Sequence, residues 1–178
     1  MKLKIKRESL EAMLLCQAKN DIRYYLNGIF FGADGTLAAT NGHIALISEH
    51  ENKIKHDAII EIGKIPTKKY DYAIIDTVTE IAHLHDDCGL VMGVTMCKLI
   101  DGKYPDIKRV IPKKQEGCNE IGFNAGYLAL AEKIAKIITP KWSMIKFELQ
   151  GATESAMAKF TLYDGTEFKY IVMPMRVS

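Results

Sequence analysis

The sequence predicts an α+β chain of two helices and about ten short strands, built from a repeated strand–helix–three-strand unit. Three observations predict it. The apolar spacing switches from alternation to a helical period and back again at two separate places. Each helical stretch is followed by apolar runs rich in β-branched residues, and Asp34-Gly35 and Asp164-Gly165 supply hairpin turns. Hydrophobic residues make up 48% and charged residues 26%, which is an ordinary globular balance.

Residues 2–6, KLKIK, alternate as an opening strand. Ser9 is the expected cap of the first helix, whose apolar face is Leu10, Met13, Leu14, Gln17 and Ala18. From residue 22 the pattern turns to strands: IRYYLNGIFF, then TLAATNGHIALIS. HDAIIEIG, YAIIDTVT, EIAHLH and GLVMGVTMCKLI continue the strand run to residue 100. IGKIPTKKYDY carries Pro66 and lacks helical spacing, so no helix is expected there. KKQEGCNE, 113–120, reads as a polar linker. IGFN then precedes a second helix at 125–138, capped by Asn124 and burying Tyr127, Leu130, Ala131, Ile134 and Ile138. MIKFELQ, AMAKFTLY and EFKYIVMPMR complete the second unit.

The charge balance removes several classes of function. Across 178 residues, 24 Lys and Arg face 22 Asp and Glu, a net +2. Nucleic-acid binding therefore rests on local rather than global charge. Basic residues do concentrate at 98–114 and at Lys64, Lys68 and Lys69. No apolar run reaches the length of a membrane span, and MKLKIKRESL lacks the apolar core of a secretory signal. Four unpaired-looking cysteines, Cys16, Cys88, Cys97 and Cys118, fit a reducing cytoplasm, which is the expected location.

Catalytic templates fail. GxSxG, GxxxxGK[ST], GxGxxG and HExxH are all missing, and the carboxylates are scattered as surface charge. His83, His85 and Cys88 are the one cluster with metal-ligating chemistry. A fourth ligand and the usual spacing are lacking, so the segment reads as an exposed polar strand end. A zinc hydrolase is set aside, and no catalytic residue, metal or cofactor is expected.

Several blocks, in order, are similar to the bacterial DNA polymerase III β subunit, the sliding clamp. They are Arg23-Tyr24-Tyr25-Leu26-Asn27-Gly28, Ala39-Thr40-Asn41-Gly42-His43-Ile44-Ala45, Leu99-Ile100-Asp101-Gly102-Lys103-Tyr104-Pro105-Asp106, Arg109-Val110-Ile111-Pro112 and Tyr170-Ile171-Val172-Met173-Pro174-Met175-Arg176. The resemblance implies a DNA-clamp fold with antiparallel sheets outside and few helices, in a shortened form of phage or prophage type. Residues 1–114 resemble the family's middle domain without its second helix. Residues 115–119 are then a linker, and 120–178 resemble the back half of the third domain.

The resemblance further implies a non-catalytic replication processivity factor. Such a protein encircles or contacts duplex DNA without sequence preference and binds clamp-binding peptides of the polymerase and clamp loader. The implied peptide pocket comprises Leu26, Thr40, Gly42, His43, Pro105, Arg109, Val110, Ile171, Val172, Met173, Pro174, Met175 and Arg176. Asn41 and Ile44 depart from the family's usual Asp and Arg, which removes one basic wall. Lys19, Lys68, Lys69, Lys133, Lys136 and Lys141 are the residues expected to face DNA. The lone half-domain at 120–178 implies a homodimer or a higher oligomer, four chains closing a ring. The rival reading is a peptide-binding module that forms no ring and captures replication proteins or modulates the host clamp.

Overall fold

The computed structural model describes residues 1–67, 69–112, 118, 120–141 and 144–175. The proposed linker 115–119 lies outside them except for Cys118, as do Lys68, Lys113, Lys114 and Arg176. Eleven strands and two α-helices occupy the described residues. The strands are β1 (Lys2–Lys6), β2 (Ile29–Phe31), β3 (Thr36–Thr40), β4 (Ile44–Glu49), β5 (Ala58–Ile62), β6 (Tyr72–Asp76), β7 (Ile81–His85), β8 (Val91–Ile100), β9 (Phe147–Glu148), β10 (Ala156–Thr161) and β11 (Glu167–Val172). Helix α1 covers Arg7–Cys16 and α2 covers Ala125–Ile138; Tyr24–Leu26 and Ile107–Val110 form short 3₁₀ helices.

All strand neighbours are antiparallel, in the order β1-β6-β7-β8-β5-β2-β3-β4-β11-β10-β9. The order exposes the repeat. The strand before α1 pairs with β6, and β5, which opens the next unit, pairs with β2. The two units thus exchange their first strands. The C-terminal unit joins through β11, which pairs with β4 from Lys169↔Ile47 to Val172↔Ile44.

Both helices pack on the same face of this sheet. Leu10, Met13 and Cys16 of α1 and Ala131, Ile134, Ala135 and Ile138 of α2 share one core with alternate residues of the strands. On the opposite face a second core joins Ala18, Leu26, Ala38, Ala45, Ile47, Ile59, Tyr104, Ile107, Met157 and Ile171. Strands β3 and β4 therefore lie between two apolar layers, which explains why TLAAT is buried at every position. Strands β6 and β7 alternate, with one face partly open.

Three expectations need correction. Helix α1 begins at Arg7 straight out of β1 and has no side-chain cap; Ser9 is buried inside it rather than capping it. The run IRYYLNGIFF is a strand only from Ile29. Ahead of it, Asn27 accepts from the Asp21 N–H at 3.0 Å and donates to the Asp21 carbonyl at 3.0 Å. That side-chain pairing closes a loop around the 3₁₀ turn and leaves Ile22 96% exposed. MIKFELQ yields only the two residues of β9. Asn124 does cap α2, accepting from the Gly126 N–H at 2.8 Å. Among the described residues of IGKIPTKKYDY there is no helix.

Candidate functional site

The β3–β4 turn is built from its own side chains. The Thr40 hydroxyl donates to the Ile44 carbonyl at 2.6 Å and accepts from the Gly42 N–H at 3.0 Å. Asn41 Oδ1 accepts from the His43 and Ile44 N–H groups at 2.9 and 3.0 Å. Both bonds ask only for an acceptor, so the amide serves the turn as a carboxylate would. Gly42 sits at φ +90°, and a Cβ there would lie 2.9 Å from Nη1 of Arg23. The turn thus needs glycine twice, for its backbone angle and for the guanidinium lying against it.

Arg23 is fixed from the other side by Asp21. Its Nη2 and Nε reach the two Asp21 carboxylate oxygens at 2.8 and 3.1 Å, and Nη2 also donates to the Asn41 carbonyl at 3.3 Å. The hydrogen bonds from Arg23 hold the Asp21 carboxyl at about 2, so the pair stays charged through the neutral range. Arg23 therefore presents a basic group beside the turn that carries Ile44.

The opposite wall comes from the 3₁₀ helix Ile107–Val110. It is held by an ion pair of Lys108 with Asp34 at 2.7 Å and by the Ser155 hydroxyl, which donates to the Val110 carbonyl at 2.7 Å. Tyr104 anchors the approach to it, stacked on Phe30 at 4.8 Å. The floor is β11: Ile171 is 1% exposed, and the Met173 N–H donates to the His43 carbonyl at 2.9 Å.

These walls enclose a cavity of about 280 Å³. Leu26, Thr40, Gly42, His43, Pro105, Val110, Ile171 and Met173 line it, together with Arg23, Tyr25, Ile44, Ala45, Asp106 and Ile107. Stretches separated by more than a hundred residues meet there, because β11 pairs with β4. The other expected pocket residues lie elsewhere. Val172 is fully buried on the helix-side core, since neighbouring strand residues face opposite ways. Arg109 is exposed and paired with Asp106 at 3.0 Å, on the rim rather than in the lining. Pro174 and Met175 continue past the cavity, where the Met175 N–H donates to the Gly122 carbonyl at 2.8 Å. Arg176 is outside the described residues.

Arg23, Tyr25 and Asp106 were present in the matching sequence blocks but were not assigned to the pocket. Their signal was adjacency to Leu26 and Pro105. Ile44 and Ala45 also stand in a matching block, next to His43, while Ile107 has no signal beyond apolarity.

The lysines expected at DNA are dispersed. Lys133 and Lys136 stand on the exposed side of α2, and Lys136 is tied to Glu132 at 2.6 Å. Lys69 is exposed in the segment that runs under Gly93 toward buried Tyr70. Lys19 and Lys141 are exposed just beyond the ends of α1 and α2. Among the described residues Lys19, Lys69, Lys133 and Lys141 have no ion-pair partner. His83 and His85 lie 6.3 Å apart, and the His85 Nδ1 contacts the Gly89 carbonyl at 3.0 Å. They do not gather with Cys88, whose near neighbours are Asp86 and Asp87.

An antiparallel sheet of repeated βαβββ units, with helices on one face and an apolar pocket at a unit junction, is the architecture of a DNA sliding clamp. No family profile matches the sequence. The Beta sliding clamp of Vibrio cholerae is 29% identical over 132 residues, covering 65% of this chain and 35% of that protein. The Beta sliding clamp of Haemophilus influenzae is 29% identical over 152 residues, covering 79% and 35%. A crystal structure of the Bartonella birtlesii sliding clamp, DNA polymerase III subunit beta bound to griselimycin, superposes with a TM-score of 0.64 at 20% identity. It covers 99% of this chain and 66% of that one. The chain has the sliding-clamp fold and resembles the bacterial DNA polymerase III β subunits in sequence. It spans about a third of the length of the curated relatives it matches.

Proposed function

We propose that this chain is a shortened, non-catalytic sliding-clamp protein of DNA replication. Residues 1–114 and 120–178 act as its two clamp units, and the cavity at their junction takes the hydrophobic anchors of clamp-binding peptides from polymerase and clamp loader. The observation that carries this is the meeting of Leu26, Val110, Ile171 and Met173 in one cavity across the β4–β11 pair. Its walls are apolar and its rim carries Arg23 and His43, so an anchored chain finds both burial and polar partners.

Duplex DNA is met on the helix-bearing face by Lys19, Lys69, Lys133, Lys136 and Lys141, through weak contacts to phosphates that leave sliding unhindered. The protein works in the cytoplasm as an oligomer that closes round DNA. Among the described residues no helix is long and apolar enough to cross a membrane.

Titration with a labelled clamp-binding peptide tests the pocket. The wild-type chain binds it. Met173→Ala, on a side chain 38% exposed, weakens binding about tenfold. Val110→Glu abolishes binding, while Met144→Ala, on a residue outside the cavity, leaves it unchanged. Failure of the wild type to bind overturns the reading. Retention on circular DNA with release on linearisation supports a closed ring. Peptide binding without such retention supports the non-ring module instead.

A further inference from the structure

Resting on the peptide-pocket reading above, we propose that the site has a second compartment. It is a groove beside the first cavity that takes one apolar side chain from the segment flanking the peptide's anchors. The groove follows from how the chain leaves β8. Ile100, the last residue of β8, pairs with Ile59, which pairs in turn with Phe30. Directly opposed residues share a face, so the three form a row on the side of the sheet away from the helices. Tyr104 returns over this row and stacks on Phe30, with 4.8 Å between ring centroids. A cavity of about 440 Å³ lies here, with Phe30, Ile59, Leu99, Ile100, Gly102 and Tyr104 among its lining.

The two cavities share a wall. Tyr104 lines the groove, and Pro105, the next residue, lines the first cavity. Tyr25 lines the first cavity and packs on Gly102 of the groove, where an added Cβ would lie 3.2 Å from the Tyr25 Cβ. Tyr24 lies against the same glycine, 3.3 Å from that position, and is 56% exposed. The ridge between the compartments is therefore the loop 102–105 with two tyrosines laid against it. A few extended residues, at about 3.3 Å each, cross it.

That continuity selects the occupant. A chain anchored in the first cavity has to leave over its rim, and on this side the rim is an aromatic ridge with an apolar groove beyond it. The charged groups at the groove favour neither sign. Asp57 already accepts from the Ala33 N–H at 2.8 Å, while Asp101 and Lys103 are both exposed and opposite in charge. Recognition there is apolar: one aliphatic or aromatic side chain buried against Ile59, Ile100 and the Tyr104 ring.

The test compares a labelled clamp-binding peptide with the same peptide extended at one end or the other by about five residues, one of them phenylalanine. One of the two extensions is expected to tighten binding about tenfold. Leu99→Glu sets a charge at the groove; it removes that gain and leaves the affinity of the unextended peptide unchanged. Tyr24→Ala, on the ridge, reduces the gain. A photoreactive benzoyl group on the phenylalanine of the extension is expected to label wild-type residues 57–59 or 99–104, a readout that needs no variant. Labelling elsewhere overturns the proposal. So does a protein for which neither extension adds affinity, while the first cavity stands as long as the unextended peptide binds. An unextended peptide that fails to bind overturns the pocket reading and the second compartment with it. A groove that holds a second copy of this chain instead shows a molar mass sensitive to Leu99→Glu and no gain from either extension, which also overturns the proposal.

Discussion

The two halves of the sheet are buried differently. Strands β3, β4 and β11 are covered on both faces, by α1 and α2 on one side and by the loops carrying the 3₁₀ helices on the other. Strands β6, β7 and β8 are covered on one face only, and their outer side shows Ile74, His83, Val94 and Met96. The covered half holds the pocket because a cavity needs walls on the far side of the sheet. The open half has an uncovered outer surface instead. The same sheet thus holds a cavity only where a second layer is laid over it.

The sharpest way to break the comparison is to truncate matched side chains in each half. Leu46 is fully buried at the centre of the covered half. Leu46→Ala is expected to cost about 2–5 kcal/mol in urea unfolding, from lost transfer energy and the residual cavity. Val94→Ala, on a half-exposed side chain of the open half, is expected to stay within about 0.5 kcal/mol when measured at a concentration where the chain is monomeric. Equal losses at both sites would mean that the difference in burial between the two positions carries no energetic weight.

Next in size is the turn that forms the pocket's rim. Gly42→Ala places a methyl at positive φ and against Arg23 Nη1. The expected cost is about 1–3 kcal/mol by thermal or urea unfolding, with weaker peptide binding as the guanidinium is displaced. Loss of stability with unaltered peptide affinity would remove Arg23 from the binding surface.

Much of this was legible in the residues. The helix at 125–138, the strand runs from 58 to 100 and the Asn124 cap follow from local spacing and chemistry, as does the existence of a first helix, whose bounds are 7–16 rather than the expected Ser9 cap and face to Ala18. Leu26, Gly42, Val110 and Ile171 were placed together by the resemblance, and the cavity contains them. Local pattern failed where tertiary or side-chain partners decide. The segment 22–28 reads as strand from its aromatic and aliphatic residues, yet the Asp21–Asn27 pairing sets its path. Val172 was grouped with Ile171 although strand alternation sends it to the other core. TLAATNGHIALIS reads as strand and is β3 and β4, but its lack of alternation leaves the burial of both faces unread.

The two free ends of this comparison differ again at the edge. Strand β1 depends on one side chain, Asn52, for both of its outward backbone bonds at Lys4. Asn52→Ala removes them. The expected loss is about 0.5–1.5 kcal/mol, with faster exchange of the Lys4 amide. An unchanged Lys4 exchange rate would show that the edge is held by other means.

The smallest effect follows from what positions Asn52. Its N–H donates to His50 Nδ1 at 3.1 Å, which leaves the ring proton on Nε2 to face the Gly32 carbonyl at 3.0 Å. Both ring nitrogens are satisfied only while the imidazole is neutral. Burial, the dominant influence, lowers the His50 pKa below its ordinary value of 6.5. In the unfolded chain the ring takes its proton first as pH falls, so unfolding gains free energy that folding does not share. Stability from this site is therefore whole above about 6.5 and declines below it, until pH passes the folded-state value. A proton on Nδ1 also displaces the Asn52 N–H, so the Lys4 amide should exchange faster in the same window. Unfolding measured at pH 7 and pH 5 for wild type and His50→Gln isolates the effect from the carboxylates, which both chains share. The wild type should lose more on acidification than the variant; parallel losses would exclude His50 as the link between acid and the β1 edge.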